Sequence, residues 1–462
     1  MEFRPEQTVT EKRSLTMSDS AEVPSRREFI EAVGAIGAVG AVGAIVSSCS
    51  SGMGDQYADY PWPPLLEQAP DGPVLRAGLI GCGGRGTGAA GDFLDSGPNL
   101  QVVALADCFR DRLDTCRTRL REDRGVEIPE ENCFSGFEAY QRLLEADIDL
   151  VLIATPPFFR PTHFEAAVEA RKHVFMEKPL AVDPVGARSI IASARKADGL
   201  GLCVVTGTQR RHKADYLATF REITRGAIGD IVSANCYWNG TVPWWRERQP
   251  SWTDIEYMVR DWVNWTWLSG DHIVEQHVHN LDVINWFLGD SHPEKAVGFG
   301  GRWRRPSGDQ YDFFSIDFTY PNDVHVHSMC RQISGCTNNV SELVRGTKGY
   351  SNCENEIRRS DGAMAWQYQY GQDEEGNQIG LRPYVQEHID FVTAIRNNEP
   401  VNEAERTAVA TLTAIMGRIS SYTGREVTWD EMMESDLRLG PDRVELGPSD
   451  LVRAVIPVPG SA

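Results

Sequence analysis

The chain has 462 residues, of which 41% are hydrophobic and 24% are charged, and its formal net charge is −20. This length and composition are typical of a folded protein with about two domains and a sizeable hydrophobic core. The acidic balance excludes nucleic acid and an anionic membrane surface as expected partners, because both carry negative charge.

The first 49 residues have the pattern of a bacterial export signal. Arg26 and Arg27 precede a mildly apolar stretch rich in Gly, Ala and Val, which is typical of the twin-arginine route. Residues 46–49 (VSSC) also have the form of a lipoprotein cleavage site, which would leave a lipid on Cys49. We expect an exported, periplasmic protein that meets a membrane only through this signal or lipid.

A Pro/Gly/Asp-rich linker or arm at residues 50–72 is followed by a regular alternation of short apolar runs and helical patterns. The alternation predicts a doubly wound parallel sheet, a Rossmann domain, over residues 73–207. In such sheets the loops at the carboxyl ends of the strands bind ligands. The predicted strands are residues 74–80, 100–106, 149–154, 173–176 and 202–206, and the predicted helices are 86–94, 161–170 and 184–197.

The loop after the first predicted strand carries the glycine motif G-x-G-x-x-G at residues 81–86. In this motif Gly81 allows a tight turn, Gly83 lets the backbone approach a pyrophosphate, and Gly86 lets the next helix pack closely on the strand. The N-terminus of that helix presents unpaired N–H groups to the phosphates. The motif, placed between a strand and a helix, predicts a dinucleotide site.

A carboxylate at the end of the second strand indicates which dinucleotide is bound. Asp107 lies 21 residues past Gly86, the spacing of an acid that accepts the ribose hydroxyls. It would repel a 2′-phosphate, so we predict NAD in preference to NADP, with Arg110 close enough to weaken the preference. Further cofactor contacts are predicted at Gly84, Arg85, Thr155, Pro156, His163, Glu177 and Lys178.

The pattern changes after about residue 208 to longer alternating strands followed by two helices. It predicts an α+β domain with a mostly antiparallel open sheet over residues 208–435, then a tail at 436–462. The predicted strands are 231–238, 296–303, 313–320, 324–332 and 341–346, and the predicted helices are 384–397 and 403–423.

Residues 271–288 have the pattern of one helix that carries titratable groups on one face. At about 100° per residue, His272, Glu275, His279 and Asp282 share a face, and apolar residues cover the opposite one. Three interpretations remain open at this point: a solvated face, a metal site formed by His272, Glu275 and His279, or an acid/base site in which Glu275 orients or tunes His279. We favour the acid/base site and expect no metal.

Two further segments carry candidate substrate contacts. Lys178, within Glu177-Lys178-Pro179, follows the strand 173–176, and Gln209 and Arg210 follow the strand that ends at residue 206. Tryptophan faces suit the C–H faces of sugar rings, although packing or an oligomer surface explains clustered tryptophans equally well. Seven of the twelve tryptophans lie between residues 238 and 267: Trp238, Trp244, Trp245, Trp252, Trp262, Trp265 and Trp267.

The glycine loop, Thr155-Pro156, Glu177-Lys178-Pro179 and His279-x-x-Asp282, in this order, resemble the Gfo/Idh/MocA family of oxidoreductases. This family includes relatives of glucose-fructose oxidoreductase and inositol dehydrogenase, and the nearest subgroup looks like secreted bacterial members. The resemblance covers about residues 74–425. It implies a Rossmann domain and a second domain whose open sheet often forms oligomer contacts, so we expect a homo-oligomer, a dimer or a tetramer.

The resemblance also implies residue roles. It makes Lys178 and His279 catalytic, and the aspartate of the family motif falls on Glu275, which is one methylene longer. His279 would take a hydroxyl proton while hydride leaves for the nicotinamide, and Lys178 would stabilise charge on the same oxygen. With the tryptophans, the resemblance favours a sugar or polyol substrate, contacted also by Asp282 and Trp262.

Three functions remain open after the sequence analysis. The first is an exported NAD(P)-dependent oxidoreductase acting on a sugar or polyol hydroxyl. The second is a glycoside-cleaving enzyme of the same family, in which NAD oxidises the sugar transiently and elimination breaks the bond. The third is a non-catalytic sugar-binding protein. Retention of both Lys178 and His279 favours an enzyme, and we favour the oxidoreductase.

Overall fold

A six-stranded parallel sheet with helices on both faces forms the first part of the computed structural model, which describes residues 65–372 and 380–461. The predicted export signal and most of the predicted linker lie outside these residues. The strands are β1 (Leu75–Ile80), β2 (Leu100–Asp107), β3 (Cys133–Ser135), β4 (Leu150–Ile153), β5 (His173–Met176) and β6 (Val204–Thr206). The helices are α1 (Gly84–Leu94), α2 (Arg110–Arg124), α3 (Ala139–Leu144), α4 (Arg160–Glu169) and α5 (Pro184–Gly199).

The strand order β3-β2-β1-β4-β5-β6 is that of a doubly wound sheet, as predicted. The chain runs from β1 to β2 on one side and from β4 to β5 on the other, so a crevice opens where the connections after β1 and β4 leave the sheet in opposite directions. Helix α2 is missing from the sequence prediction. Its fifteen residues are mostly charged, and only Leu113, Cys116 and Leu120 are buried, which is too sparse a pattern to detect by periodicity.

A nine-stranded sheet forms the second part of the chain. Its order is β14-β13-β12-β11-β7-β10-β9-β8-β15, and β7 and β10 are its parallel pair, as the other described pairs run antiparallel. The mostly antiparallel open sheet is therefore confirmed. The strands are β7 (Ile231–Gly240), β8 (Lys295–Gly301), β9 (Phe313–Tyr320), β10 (Val324–Gln332), β11 (Asn339–Gly346), β12 (Gly349–Ser351), β13 (Glu356–Arg359), β14 (Met364–Gln367) and β15 (Val427–Thr428).

One face of this sheet is buried because its strands alternate apolar and polar residues. Strand β9 buries Phe314, Ile316 and Phe318, whereas Ser315 and Asp317 point to the other face. The buried face packs mainly on α9 (His272–Glu275), α10 (Val278–Phe287) and α12 (Ala404–Thr423). The other helices of this part of the chain are α6 (Ala214–Thr224), α7 (Asp254–Arg260), α8 (Thr266–Ser269), α11 (Pro383–Asn397) and α13 (Trp429–Glu434).

Helices α11 and α12 join the two sheets. Apolar residues of α11, such as Ile389 and Phe391, pack in the core on one face of the six-stranded sheet. Helix α12 contacts α5, α10 and β8, and its fully buried Arg418 donates to the carbonyl oxygens of Val182 and Gly270 at 2.8 Å each. None of the helices of the described ranges is both long and apolar enough to cross a membrane.

The predicted single helix over residues 271–288 is wrong, because the chain forms two helices, α9 and α10. The break is at Gln276 and His277, where the amide of His277 bonds the carbonyl of His272 five residues back rather than four. The His277 ring reaches the nine-stranded sheet, with Nε2 2.7 Å from the hydroxyl of Ser328. The break separates the polar stripe into two parts that face different neighbours.

Candidate active site

The glycine motif forms the turn from β1 into α1. Gly81 has a φ of 97°, and a Cβ there would lie 2.8 Å from the backbone of Ala154. A Cβ on Gly86 would lie 1.8 Å from the carbonyl oxygen of Gly81, so only glycine lets α1 approach the strand. A Cβ on Gly83 would meet nothing within 4 Å. The backbone is therefore bare and open where a pyrophosphate would lie.

Asp107 ends β2 beside this loop. Its carboxylate accepts hydrogen bonds from the backbone N–H groups of Cys82 at 2.7 Å and Phe109 at 2.8 Å. Burial raises the pKa of Asp107 above its ordinary value, while these two hydrogen bonds oppose the increase. The carboxylate is thus held in one orientation beside the glycine loop.

A cavity of about 440 Å³ opens over the glycine loop, the glycine-loop cavity. It is also lined from the second part of the chain by the covering segment, residues 241–262. Within this segment Trp244 and Trp262 meet edge to face, with ring centroids 6.1 Å apart. Several predicted cofactor residues come together here: Gly81, Gly83, Gly84, Arg85, Gly86, Asp107, Thr155, Pro156 and His163.

Trp262 is therefore placed differently from the prediction. It was expected at the substrate, yet it lines the glycine-loop cavity, whose lining does not include Lys178 or His279. The tryptophan-rich stretch as a whole is divided. Trp265 and Trp267 are buried in a local core, whereas Trp238 lies on β7 beside His279. Sequence proximity could not separate these roles, since only Trp244 and Trp262 of this stretch line the cavity over the glycine loop.

Arg160, which the sequence analysis missed, connects the Thr155-Pro156 loop to the loop that carries Lys178. It is buried and donates to the carbonyl oxygens of Thr155 at 2.8 Å and of Pro179. His163 contacts the hydroxyl of Thr155 through Nδ1 at 3.2 Å. Burial, followed by the charge of Arg160, lowers the pKa of His163 to about 3, so this ring is neutral. A neutral ring is suited to packing beside a cofactor rather than to binding an anion.

Arg85 and Glu177, both predicted as cofactor contacts, bind each other. The Arg85 Nε lies 2.9 Å from Glu177 Oε1, and the guanidinium stacks over the ring of Tyr384 at 4.9 Å from its centroid. Gln209, a predicted substrate contact, donates to the Tyr384 hydroxyl at 3.3 Å. Helix α11 thus supports the glycine loop and the strand end of β5 together. Tyr384 had no signal in the sequence, because it lies 175 residues from Gln209 and 299 residues from Arg85 along the chain.

Lys178 and Glu275 form the centre of the site. Lys178 Nζ donates to the carbonyl oxygen of Glu275 at 2.5 Å and to its carboxylate at 3.1 Å, and the two side chains are only 12% and 14% exposed. We expected Glu275 to orient or tune His279. The structure instead places its carboxylate on Lys178, because the break after α9 turns Glu275 away from the face of α10. Glu275 therefore positions the lysine.

His279 lies on α10, with its ring stacked on the indole of Trp238 at 5.7 Å and an interplanar angle of 20°. Burial, followed by the positive charges of Lys178 and Arg210, lowers the pKa of His279 well below its ordinary value. The ring is therefore neutral at neutral pH and able to accept a proton. The pair combines a cationic hydrogen-bond donor with a neutral base, which is the combination that removal of a hydroxyl proton requires.

The remaining predicted residues have structural partners. Asp282, expected at the substrate, is buried in an ion pair with Arg211, at 2.9 Å from its Nε. Arg210 pairs with the buried carboxylate of Glu342 and stacks on Trp238, so one side of its guanidinium lies near His279. Asp282 consequently stabilises the fold rather than facing the site.

The metal interpretation is not supported by the geometry. His272 is buried, and its Nδ1 lies 2.9 Å from Asp271 Oδ1, apart from the Lys178–Glu275 pair. Among residues 65–372 and 380–461, no group of three or more His, Cys, Asp or Glu side chains could hold a metal ion. The helix break explains this outcome, because His272 and His279 no longer share a face.

A glycine-loop cavity beside a lysine–histidine pair, on a doubly wound sheet followed by an open sheet, defines a two-domain dinucleotide-binding protein. Residues 75–205 match the family model described as "Oxidoreductase family, NAD-binding Rossmann fold", and residues 216–351 match the "GFO/IDH/MocA C-terminal domain". The two matches together cover more than half of the chain, and the protein belongs to the Gfo/Idh/MocA oxidoreductase family.

Individual relatives agree with this assignment. An inositol 2-dehydrogenase of Acidothermus cellulolyticus is 30% identical over 252 residues, which are 54% of this chain and 64% of that relative's length. A glycosyl hydrolase family 109 protein of Phocaeicola vulgatus is 35% identical over 116 residues, 25% of this chain and 22% of that protein. The fold is similar to the crystal structure of a Lactobacillus casei scyllo-inositol dehydrogenase with NAD(H) and scyllo-inositol. That similarity has a TM-score of 0.57 at 20% identity, and covers 77% of this chain and 99% of the other.

Proposed function

We propose that this protein is an NAD(P)-dependent oxidoreductase that removes hydride from a hydroxyl-bearing carbon of a sugar or polyol. The observation that carries the proposal is the arrangement of Lys178 and a neutral His279 at the carboxyl edge of the sheet whose first loop is built for a dinucleotide. Membership of an NAD-binding oxidoreductase family and the inositol 2-dehydrogenase relative support it.

The residues present fit a bound dinucleotide, because Gly83 and Gly84 carry no side chain and a Cβ at either would meet no protein atom within 4 Å, which leaves the backbone accessible from the cavity. Bound there, NAD would supply the hydride acceptor. The chain's own groups manage the proton: His279 accepts it from the substrate hydroxyl, and Lys178 donates a hydrogen bond to the same oxygen as charge develops. Glu275 holds Lys178 in place through its carbonyl and carboxylate oxygens.

The surroundings of His279 suit a substrate with both C–H faces and hydroxyl groups. Trp238 offers a half-buried aromatic face next to the base, which matches the apolar face of a ring. Gln276, half-buried at the break between α9 and α10, adds a polar amide that is held by Gln332 Nε2 at 2.7 Å. A cyclic polyol or a sugar presents both kinds of surface, so this substrate class is favoured.

The test is a panel of inositols, aldoses and glycosides incubated with the purified full chain, with and without added NAD. We expect formation of reduced nicotinamide with at least one polyol or sugar when NAD is added. Binding of these compounds without any turnover, under conditions where NAD binds, would contradict the proposal and favour a sugar-binding protein.

Glycoside cleavage is the second candidate, supported by the glycosyl hydrolase family 109 relative over 116 residues. The same pair, Lys178 and His279, would serve the transient oxidation that this reaction needs. The panel separates the two reactions, since cleavage releases an aglycone with no net reduction of added NAD. Release of an aglycone without accumulation of reduced nicotinamide would favour the hydrolase over the dehydrogenase.

We also propose export through the twin-arginine route, with a mature protein that begins near Cys49 and carries a lipid if that cysteine is processed. Support comes from Arg26 and Arg27 before a mildly apolar stretch. The test fuses residues 1–60 to a reporter and compares it with a variant carrying Arg26→Lys and Arg27→Lys. A reporter that stays inside the cell, or that is exported equally by both, would contradict the proposal.

A further inference from the structure

Arg210 is the second cation beside the proposed base, after Lys178. It lies in the turn after β6, its guanidinium is 5.8 Å from the centroid of the Trp238 ring, and its charge acts on His279. Its side chain is 15% exposed. Nη1 binds the carboxylate of Glu342, and no other acceptor of the described residues binds the remaining side-chain N–H groups. Those groups are therefore available to a substrate held against Trp238.

Glu342, on β11, is buried with its side chain only 2% exposed, and three donors bind it. They are Arg210 Nη1, the amide of Asn280 and the hydroxyl of Tyr216 at 3.1 Å. Burial, followed by the charge of Glu342, raises the pKa of Tyr216, so this hydroxyl keeps its proton and donates. Burial raises the pKa of Glu342 as well, but Arg210 and Tyr216 oppose the increase. Three donors, one of them charged, hold Glu342 as a carboxylate.

The two cations at the reacting groups are thus each compensated by one carboxylate. Lys178 Nζ lies 3.1 Å from a carboxylate oxygen of Glu275, and Arg210 binds Glu342. Because the four charges sum to zero, both pairs can donate hydrogen bonds to hydroxyl oxygens without presenting a net positive charge to a substrate. A carboxylate or phosphate on the substrate would find no unbalanced cation here, and burial of an unpaired charge is unfavourable.

The basic residues that follow Arg210 do not supply that cation either. Each of the two binds two carboxylates, so neither adds an unbalanced positive charge. The ion pairs are those of Arg211 with Asp282 and Asp290, and of Lys213 with Asp215 and Glu354. Burial alone would lower the pKa of Arg210, but acidic neighbours led by Glu342 outweigh it and raise the pKa. The charged surroundings of Arg210 therefore favour an uncharged substrate.

We propose that Glu342 determines the substrate class of this site by balancing the charge of Arg210. The protein then takes neutral sugars or polyols and discriminates against those that carry a carboxylate or a phosphate. This assignment rests on the proposed function, since it concerns the substrate of Lys178 and His279. An acidic substrate could pair with Arg210 only by displacing Glu342, which would leave that carboxylate buried without its charged partner. A hydroxyl group accepts a hydrogen bond from Arg210 while the ion pair stays in place.

The test compares matched probes that differ in charge: D-glucose with D-glucuronate, and myo-inositol with its 1-phosphate. Two quantities are measured on the full chain, kcat/KM with NAD and, independently of turnover, calorimetric affinity in the presence of NADH. We expect the better accepted pair to favour its neutral member by at least about tenfold, since loss of one charge-assisted hydrogen bond has roughly that effect. Equal acceptance of the acid, or binding of none of the probes, would overturn the proposal.

Variants then locate the charge that sets the preference. Glu342→Gln leaves Arg210 unbalanced, so the preference for the neutral probe should fall by on the order of tenfold. Adding Arg210→Gln removes the unbalanced charge and should restore the preference, which a merely structural role of Glu342 would not do. Glu356→Gln, at an ion pair with Arg358 on β13, is the matched control and should change nothing. A preference that Glu342→Gln leaves unchanged, or that the double variant does not restore, would contradict the role of Glu342.

A measurement on wild-type protein covers the case in which Glu342→Gln does not fold. D-Glucuronamide is close to D-glucuronate in size and has no charge. Wild-type protein should therefore bind the amide at least about tenfold more tightly than the acid. An amide that binds as weakly as the acid would show that size excludes the acid, and would overturn the proposal.

Turnover and binding separate the role of Glu342 from the proposed reaction. Equal turnover of neutral and acidic probes would overturn the role of Glu342 and support the oxidoreductase function. Tighter binding of the neutral probe, without turnover of any probe, would support the role of Glu342 and contradict the oxidoreductase function.

Discussion

In the proposed reaction, Lys178 and His279 act as a pair because they differ in charge. Lys178 Nζ is held by Glu275, and burial, followed by the positive charges of Lys178 and Arg210, lowers the pKa of His279. A cation that also donates a hydrogen bond can stabilise an oxyanion, while a neutral imidazole can take the proton. The charge of Lys178 therefore favours the neutral, proton-accepting form of His279.

Removal of either group should lower turnover without removing the cofactor. We expect Lys178→Ala and His279→Ala each to reduce kcat by about 10²–10⁴-fold on a substrate identified by the panel, since that is the usual contribution of a positioned acid or base. Dinucleotide affinity, measured separately, should be retained. Lys196→Ala, on the exposed face of α5, is the control. Near-normal turnover in both alanine variants would contradict these roles.

The same pair predicts a pH effect. Lys178→Met removes a positive charge near His279, so protonation of the ring becomes easier and its pKa should rise from its depressed value toward about 6.5. Lys178→Arg keeps the charge and should leave the pKa low. NMR titration of the His279 ring, identified with a His279→Gln variant, measures the shift. A ring that titrates at the same pH in wild type and Lys178→Met would show that the lysine does not act on it.

At the scale of elements, the glycine loop and α1 can pack closely only because glycine has no side chain. Gly86→Ala would place a Cβ 1.8 Å from the Gly81 carbonyl oxygen, so helix or loop must move. We expect a loss of about 1–3 kcal/mol in the free energy of unfolding, as for other overpacked contacts. Gly84→Ala meets nothing within 4 Å and should change stability little. Denaturant unfolding without dinucleotide measures both, and equal effects would contradict the close-packing role of Gly86.

A buried histidine joins the end of β6 to helices α11 and α12. His212 Nδ1 lies 2.6 Å from Asp390 on α11, and its Nε2 lies 3.3 Å from Glu403 beside the start of α12. Burial alone would lower the pKa of His212, but Glu403 and Asp390 outweigh it and raise the pKa to about 10. The folded protein therefore holds this ring protonated at neutral pH.

The contacts of His212 with Asp390 and Glu403 should make the free energy of unfolding depend on pH. Because the folded pKa of His212 exceeds the unfolded value of about 6.5, its stabilisation is complete below pH 6.5 and is lost as pH rises toward about 10. His212→Gln should flatten the decrease in unfolding free energy between pH 7 and 10, measured by urea unfolding. His327→Gln, at an exposed position on β10, is the control. An unchanged slope in His212→Gln would contradict the linkage.

At the scale of the whole molecule, the outer face of the nine-stranded sheet exposes apolar side chains. Val297 and Phe299 on β8 are 52% and 66% exposed, and Phe299 is in register across the sheet with Met329 and Tyr237. We propose that this face joins copies of the chain in a homo-oligomer, because exposed apolar patches of this kind favour association.

A charge on that face should weaken the association. Phe299→Asp is expected to lower the molar mass found by light scattering toward that of a single chain, because burial of an unpaired carboxylate is unfavourable. Val455→Asp, at an 84% exposed position in the C-terminal tail, is the matched control. A single-chain mass for the wild-type protein, or a mass that Phe299→Asp leaves unchanged, would contradict the proposed interface.

Much of the architecture could be predicted from the sequence. The strands at His173–Met176, Phe313–Tyr320 and Val324–Gln332 have the predicted bounds, and the glycine turn has the predicted place. These features depend on side chains within a few residues of each other. The local order of apolar, polar and turn-forming residues therefore predicts them. The break within residues 271–288 could not be predicted from local pattern, since at the break His277 contacts Ser328, which lies on β10 and is 51 residues away along the chain.

The sequence by itself determined the two kinds of sheet and the dinucleotide loop, because both rest on local spacing, and the family resemblance made Lys178 and His279 the candidate catalytic residues. Only the tertiary structure decided which charges are paired: Glu275 with Lys178 rather than His279, and Asp282 with Arg211. It also decided that the covering segment lines the cofactor side. The physical reason is that an ion pair needs two groups within about 4 Å, and separation along the chain does not set that distance.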